Sequence, residues 1–344
     1  MKKNIAIFQT DLGIGGIQKS VINLLNNLDY KKYNVDLYLL SKGEFFENLP
    51  KEVNVKILKF FPLFKILPFK IMNLLTFKHI KKEYDVVIDF NGYSNYLSSL
   101  ALKTRAKKKL MWVHNDYKEK KKYDKSFNLF YIFSKSKYKK FDNIVAVSEG
   151  AASSFEEITH VPCKYVIPNY IDIDEINRKK EENVEFYVDE ECVNICFLGR
   201  LVSQKGLESM LIKVRNILNN FKDFHLYIIG DGPLKDKLIS EVEEANMYNY
   251  VTFLGNKKNP FSYLKKCDYL ILNSKYEGQG MVALEALALG LEVIMPSRLN
   301  KYLDIDYIDI DNIKALKKVK RKENKLTNYN KEIDKKISSL LGGE

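Results

Sequence analysis

Short apolar runs of strand length alternate with amphipathic stretches of helical period, and the alternation occurs twice along the chain. The first series places strands at Asn4–Thr10, Val35–Leu40, Val53–Leu58, Asp85–Phe90, Lys109–His114 and Asn143–Ser148. Helical patterning falls between them at Ile17–Asn27 and Pro68–Lys82, the latter with a proline suited to its first turn. The second series runs Val193–Leu198, His225–Ile229, Val251–Leu254, Tyr269–Asn273 and Glu292–Met295. Its predicted helices are Gly206–Asn219, Leu234–Ala245 and Met281–Leu289. A strand that returns through a helix pairs in parallel with its predecessor, so each series predicts a doubly wound α/β unit. No solenoid period and no low-complexity tract competes with that reading.

The 344 residues suit two domains of ordinary size. The expected division is a first Rossmann-like domain over 1–170, a charged linker over 171–192 and a second Rossmann-like domain over 193–322. A terminal helix is predicted within 323–344. Charge separates the halves: 29 Lys and Arg against 16 Asp and Glu in 1–170, but 27 against 28 in the remainder. Four cysteines form no disulfide framework, and no Cys/His spacing suits zinc, which points to reducing cytosol. The densest apolar stretch, Phe60–Phe77, is broken by Pro62, Lys65, Pro68 and Lys70, so it predicts no membrane span.

Ligands of open parallel sheets bind beyond the carboxyl ends of the strands. Gly15 and Gly16 follow the first strand and lead into a helix, where backbone amides attract anions. Read alone, they equally fit a packing turn. Gly199-Arg200 closes the first strand of the second series, and Lys205-Gly206 opens the next helix. Two cations around one loop suit a diphosphate, or else form a solvated pair. Further on, Glu277 precedes a Gly-Gln-Gly segment, and Glu285 lies inside an apolar helix. An ionised Glu in that setting needs a partner or an open cleft, and it can accept two ribose hydroxyls.

The ordered set Gly15-Gly16, Gly199-Arg200 with Lys205-Gly206, Gly230-Asp231-Gly232-Pro233-Leu234, Phe253-Leu254-Gly255 and Glu277-x7-Glu285 resembles the GT4-type retaining glycosyltransferases of the GT-B fold. The resemblance covers residues 193–296 most fully. Over 1–192 it runs through Trp112-Val113-His114, Val147-Ser148 and Pro168-Asn169. It implies two Rossmann-like domains facing a cleft, with a nucleotide-sugar donor on the second, the acceptor on the first, and the helix within 323–344 packing back on the first. It implies that Arg200 and Lys205 grip the diphosphate and that Glu285 holds the ribose. Glu277 would meet the transferred sugar, with Gly278, Gln279, Gly280, Met281 and Val282 lining sugar and phosphate. His114 corresponds to a first-domain histidine near the reacting sugar. No metal and no cofactor are expected. Two departures stand out: Tyr170 occupies a position where the family usually has Gly, and the usual Gly-containing segment after Pro296 is compressed.

Residues Lys103–Lys140 concentrate lysines with interleaved Tyr and Phe. This stretch, with Phe60–Phe77, suits an anionic membrane surface and a lipid-linked or oligosaccharide acceptor. The expected activity is transfer of a hexose or N-acetylhexosamine, UDP-linked, to a lipid-linked saccharide of bacterial capsule, exopolysaccharide or lipopolysaccharide. The expected place is the cytoplasmic face of the membrane. Other readings are a sugar-nucleotide epimerase, a non-catalytic partner subunit and a nucleic-acid binder. The last has no RRM, KH or zinc pattern and leaves Glu277 and Glu285 unexplained.

Overall fold

The computed structural model describes residues 2–59, 64, 67–76, 80–219, 221–313, 315–319, 324 and 326–342. The chain divides into two compact units, one of Met1–Tyr170 with Tyr329–Glu344 and one of Ile171–Asn328.

The first unit contains β1 (Lys3–Gln9), α1 (Gly16–Asn27), β2 (Tyr33–Leu39), β3 (Asn54–Ile57), α2 (Phe69–Leu75), β4 (Tyr84–Asp89), α3 (Asn95–Lys103) and β5 (Ala106–Val113). It continues with α4 (Tyr117–Tyr123), α5 (Lys125–Ser134), β6 (Asn143–Ala146), α6 (Glu149–Thr159) and β7 (Cys163–Val166). The strands form one parallel sheet in the order β3-β2-β1-β4-β5-β6-β7. Ile5, Ile7, Val87, Ile88, Leu110 and Val145 fill its core, which explains why the central strands are apolar on both faces.

The second unit contains α7 (Ile173–Lys179), β8 (Val193–Leu198), α8 (Leu207–Leu218), β9 (Phe224–Ile229), α9 (Lys235–Glu244), β10 (Val251–Gly255) and α10 (Phe261–Leu264). Then come β11 (Tyr269–Ile271), α11 (Met281–Ala288), β12 (Glu292–Met295), α12 (Asn300–Leu303) and β13 (Ile308–Asp309). Its sheet is again parallel, in the order β10-β9-β8-β11-β12-β13. Strand order reverses between β1 and β4 in one sheet and between β8 and β11 in the other. These are the places where open α/β sheets part their loops and admit ligands.

Three expectations need correction. The stretch 171–192 is no free linker: Ile176 of α7 is buried, and buried Phe186 packs on Tyr227 and Tyr263 with ring centroids 4.9 and 5.1 Å apart. Its many charges conceal those two apolar anchors. The helix expected over 68–82 stops at Leu75, and part of Phe60–Phe77 lies outside the described residues, as does much of the basic stretch after residue 313. Nor does every lysine of Lys103–Lys140 face outward toward an anionic surface. Lys137 is fully buried and donates to the Gly92 carbonyl (2.7 Å) and Ser98 Oγ (3.0 Å). Burial pushes its ammonium down to about 8 against the pull of Asp89, whose own carboxyl burial pushes up.

The last helix, α13 (Tyr329–Gly342), packs on the first unit through Ile333, Ile337, Leu340 and Leu341. Tyr170, in the position where the resemblance led to glycine, is buried and donates its hydroxyl to Asp334 Oδ1 at 2.8 Å. A Gly could not make that bond.

Candidate functional site

The β8–α8 and β11–α11 loops meet at the switch point of the second sheet. Gly206 has φ +63°, and a Cβ there would lie 2.4 Å from the Asn273 carbonyl oxygen, so only glycine lets the loops approach. Asn273 stitches the junction, donating Nδ2 to Gly206 O and to Ser209 Oγ, both at 2.8 Å. The Lys275 amide donates to Gln204 O (2.8 Å), and Gln204 Nε2 returns a bond to Tyr276 O (3.2 Å).

This stitching brings Lys205 onto Glu277. Lys205 Nζ lies 2.7 Å from Glu277 Oε1, and Ser274 Oγ donates to the same oxygen at 2.5 Å. Glu277 Oε2 takes no hydrogen bond among the described residues. Glu277 is only 7% exposed, and its contacts with the Lys205 ammonium and the Ser274 hydroxyl offset the cost of burying its carboxyl group. One oxygen is thus held and the other is available to a hydrogen-bond donor.

Arg200 stands exposed beyond β8, with no side-chain hydrogen bond or ion pair among the described residues. Gly278, Gln279 and Gly280 lead to α11, whose first residues are Met281 and Val282. The free amides of that helix start suit an anion. Glu285 lies one turn further and is buried among Ala283, Leu284 and Ala286. Nine of the expected donor residues therefore sit on two stitched loops and the helix that follows one of them. The roles of Asn273 and Ser274 as stitch and hydroxyl donor were not read from sequence. The signal was present in two polar residues ending an apolar strand.

Gly15, Gly16 and His114 belong to the first unit. Gly16 starts α1 beside a loop in which Asp11 Oδ1 accepts from the Gly13 amide (2.9 Å) and Gln18 Nε2 (3.2 Å). His114, just past β5, is buried, with Nε2 2.8 Å from the Phe90 carbonyl and its ring 4.6 Å from the Phe90 ring. A carbonyl only accepts, so Nε2 carries the proton and Nδ1 is an acceptor. Burial pulls the imidazole down to about 3 despite that bond. A neutral imidazole of such low basicity is poorly matched to taking a proton at neutral pH, and better matched to accepting a hydrogen bond.

Known proteins resemble this chain both in sequence and in fold. The family model for glycosyl transferases group 1 matches residues 178–298, and that for glycosyltransferase family 4 matches residues 14–175. An uncharacterised glycosyltransferase of Methanocaldococcus jannaschii is 28% identical over 66% of this chain, which spans 60% of that protein. A Campylobacter jejuni N-acetylgalactosamine-N,N'-diacetylbacillosaminyl-diphospho-undecaprenol 4-alpha-N-acetylgalactosaminyltransferase is 28% identical over 85% of this chain and 80% of its own. Among solved structures, Anabaena HepE in complex with UDP-glucose aligns with a TM-score of 0.62 at 14% identity, covering 98% of this chain and 90% of its own. Staphylococcus aureus TarM aligns with a TM-score of 0.62 at 15% identity, covering 99% and 93%. These two likenesses speak to the fold, and they are of the GT-B type. With both family models matched in order along a fold of that type, the chain belongs to the GT4-type glycosyltransferases.

Proposed function

We propose that this glycosyltransferase moves a hexose or N-acetylhexosamine from a UDP-sugar to a lipid-linked saccharide, with retention of anomeric configuration and without a dedicated metal. The observation that carries the donor reading is the cluster at the second switch point: Lys205 paired with Glu277, Arg200 unpaired beside it, and a helix start facing the same loops. In the reaction the anomeric carbon–oxygen bond to the diphosphate breaks, and a bond forms to an acceptor hydroxyl oxygen. The departing phosphate takes the acceptor's proton. Charge grows on the leaving diphosphate, where Arg200, Lys205 and the helix amides stabilise it. Glu277 Oε2 accepts from a sugar hydroxyl and Glu285 from the ribose.

The carbohydrate end product follows from the same supports: the Campylobacter relative acts on a diphospho-undecaprenol-linked sugar, and another relative is a lipopolysaccharide core glycosyltransferase of Rhizobium meliloti. A capsule, exopolysaccharide or lipopolysaccharide intermediate fits that chemistry. A thermal-shift panel with UDP, GDP, ADP and their sugars tests the donor. UDP at about 100 times its dissociation constant is expected to add about 2.7 kcal/mol to wild type and much less to Glu285→Ala. Equal shifts in both proteins would remove Glu285 from the site. No shift with any nucleotide would favour a non-catalytic partner subunit.

The acceptor reading includes peripheral attachment to the cytoplasmic face of an anionic membrane. Among the described residues, no helix is long and apolar enough to cross one. Instead α2 and α5, which pack side by side, expose Ile71, Leu74, Leu129, Ile132 and Phe133. Exposed Lys70, Lys122, Lys125 and Lys135 lie on or next to these helices. Apolar side chains within a lysine surround match an anionic bilayer, at about 1 kcal/mol per lysine near the surface. Co-flotation with vesicles containing anionic lipid is expected to exceed that with neutral vesicles, and to fall in a Leu74→Ser/Ile132→Ser variant. Flotation indifferent to both changes would defeat this attachment.

A further inference from the structure

Arg298 follows β12 in a short turn, Ser297–Leu299, and nothing in the residues marked it as functional. The turn is anchored, since Met295 before it and Leu299 at its end are fully buried and Tyr302 of α12 nearly so. Arg298 itself is exposed, yet its Nη2 donates to Ser274 O at 3.1 Å and reaches Asn273 O at 3.3 Å. Those two residues are the stitch of the site. The Asn273 carbonyl is the oxygen against which Gly206 is pressed, and Ser274 Oγ donates to Glu277. One cation on a third strand end thus pins the backbone that aims the Glu277 carboxylate. A guanidinium suits this task, because a planar fork can serve neighbouring carbonyl oxygens at once. Only six of the 56 basic residues are Arg, and two of the six, Arg200 and Arg298, stand beyond strand ends of this one sheet.

We infer that Arg298 is a positioning residue for the donor sugar, acting through the 273–277 loop on Glu277. The inference rests on the donor reading above. It separates two parts of the donor. The nucleotide is held by Glu285, Arg200 and Lys205, none of which Arg298 touches. The sugar is held by Glu277, whose loop Arg298 braces. Losing the brace therefore weakens sugar recognition and spares the nucleotide.

The experiment measures equilibrium affinities for UDP, UDP-glucose, UDP-galactose, UDP-N-acetylglucosamine and UDP-N-acetylgalactosamine. It compares wild type, Arg298→Ala, Arg298→Lys and Arg298→Gln. Arg298→Ala is expected to bind the preferred UDP-sugar about tenfold more weakly, the order expected for charge-assisted hydrogen bonds lost. UDP alone is expected to bind within about twofold of wild type. Lys and Gln, which still donate to a carbonyl, are expected to recover part of the loss. Equal weakening of UDP and UDP-sugar in Arg298→Ala would overturn the inference, since Arg298 would then touch the diphosphate or serve the unit's stability. Unchanged affinity for both would also overturn it, with the donor reading intact. A wild-type protein that binds none of the UDP-sugars would overturn the donor reading and this inference together.

Discussion

Lys205→Ala is expected to turn over at about one hundredth of the wild-type rate or less. The reason is twofold. In the proposed reaction the ammonium would supply positive charge where the leaving diphosphate develops negative charge, and in the structure it pairs with Glu277 at 2.7 Å. Removing it leaves a nearly buried carboxylate facing an anionic substrate, so ground-state binding weakens as well. On the proposed donor reading, the donor's phosphate would compete with Glu277 for the same ammonium, and the pair would rearrange when substrate binds. Single-turnover rates at saturating donor separate the two effects. A rate within threefold of wild type would remove Lys205 from leaving-group stabilisation. A folded control is available in the melting temperature, because the pair sits at the mouth of the loops rather than in the core.

The second large effect is structural. In Gly230→Ala the new Cβ would fall 1.9 Å from the carbonyl oxygen of Gly199, at a backbone φ of +139°. The obstacle is backbone, not the end of a flexible side chain. Relief requires parting the ends of β8 and β9, where the Gly199 amide donates to Ile229 O at 3.0 Å and the Gly230 amide to Gly255 O at 2.9 Å. A loss of about 3 kcal/mol or more is expected, which for a unit of this size lowers the melting temperature by about 10 °C. Calorimetry should show that shift in the transition of the second unit. A variant melting within 2 °C of wild type would mean that the two loops are not packed as described. Arg200 lies next to Gly199, so residual activity in this variant also reports how far the diphosphate loop has moved.

Sequence periodicity revealed both sheets because their central strands are buried on both faces and therefore read as continuous apolar runs. The short edge strands were harder. β7 has four residues and β13 two, too few to show a period. Arg200, Lys205, Glu277 and Glu285 stood out as candidates because strand ends are where a parallel sheet offers ligands a place, and each departs from its local pattern. Lys137 was misread for the opposite reason. Its local pattern is a charge run, and its burial depends on Asp89 and Ser98, which are distant in sequence. Arg298 escaped notice because its partners are backbone carbonyls, which carry no residue identity.

The first unit is discontinuous. Its boundary bonds lie close together in the chain path: Asn23 Nδ2 donates to Tyr170 O (2.8 Å), Tyr329 Oη to Asn169 O (3.1 Å) and Tyr170 Oη to Asp334 (2.8 Å). The second unit, 171–328, is therefore an uninterrupted insert between two parts of the first. During synthesis the ribosome delivers every residue of the insert before Ile333, Ile337, Leu340 and Leu341 emerge to cover the first core. The unit begun first is the one completed last, and until then it keeps apolar surface open while its neighbour has all it needs to fold.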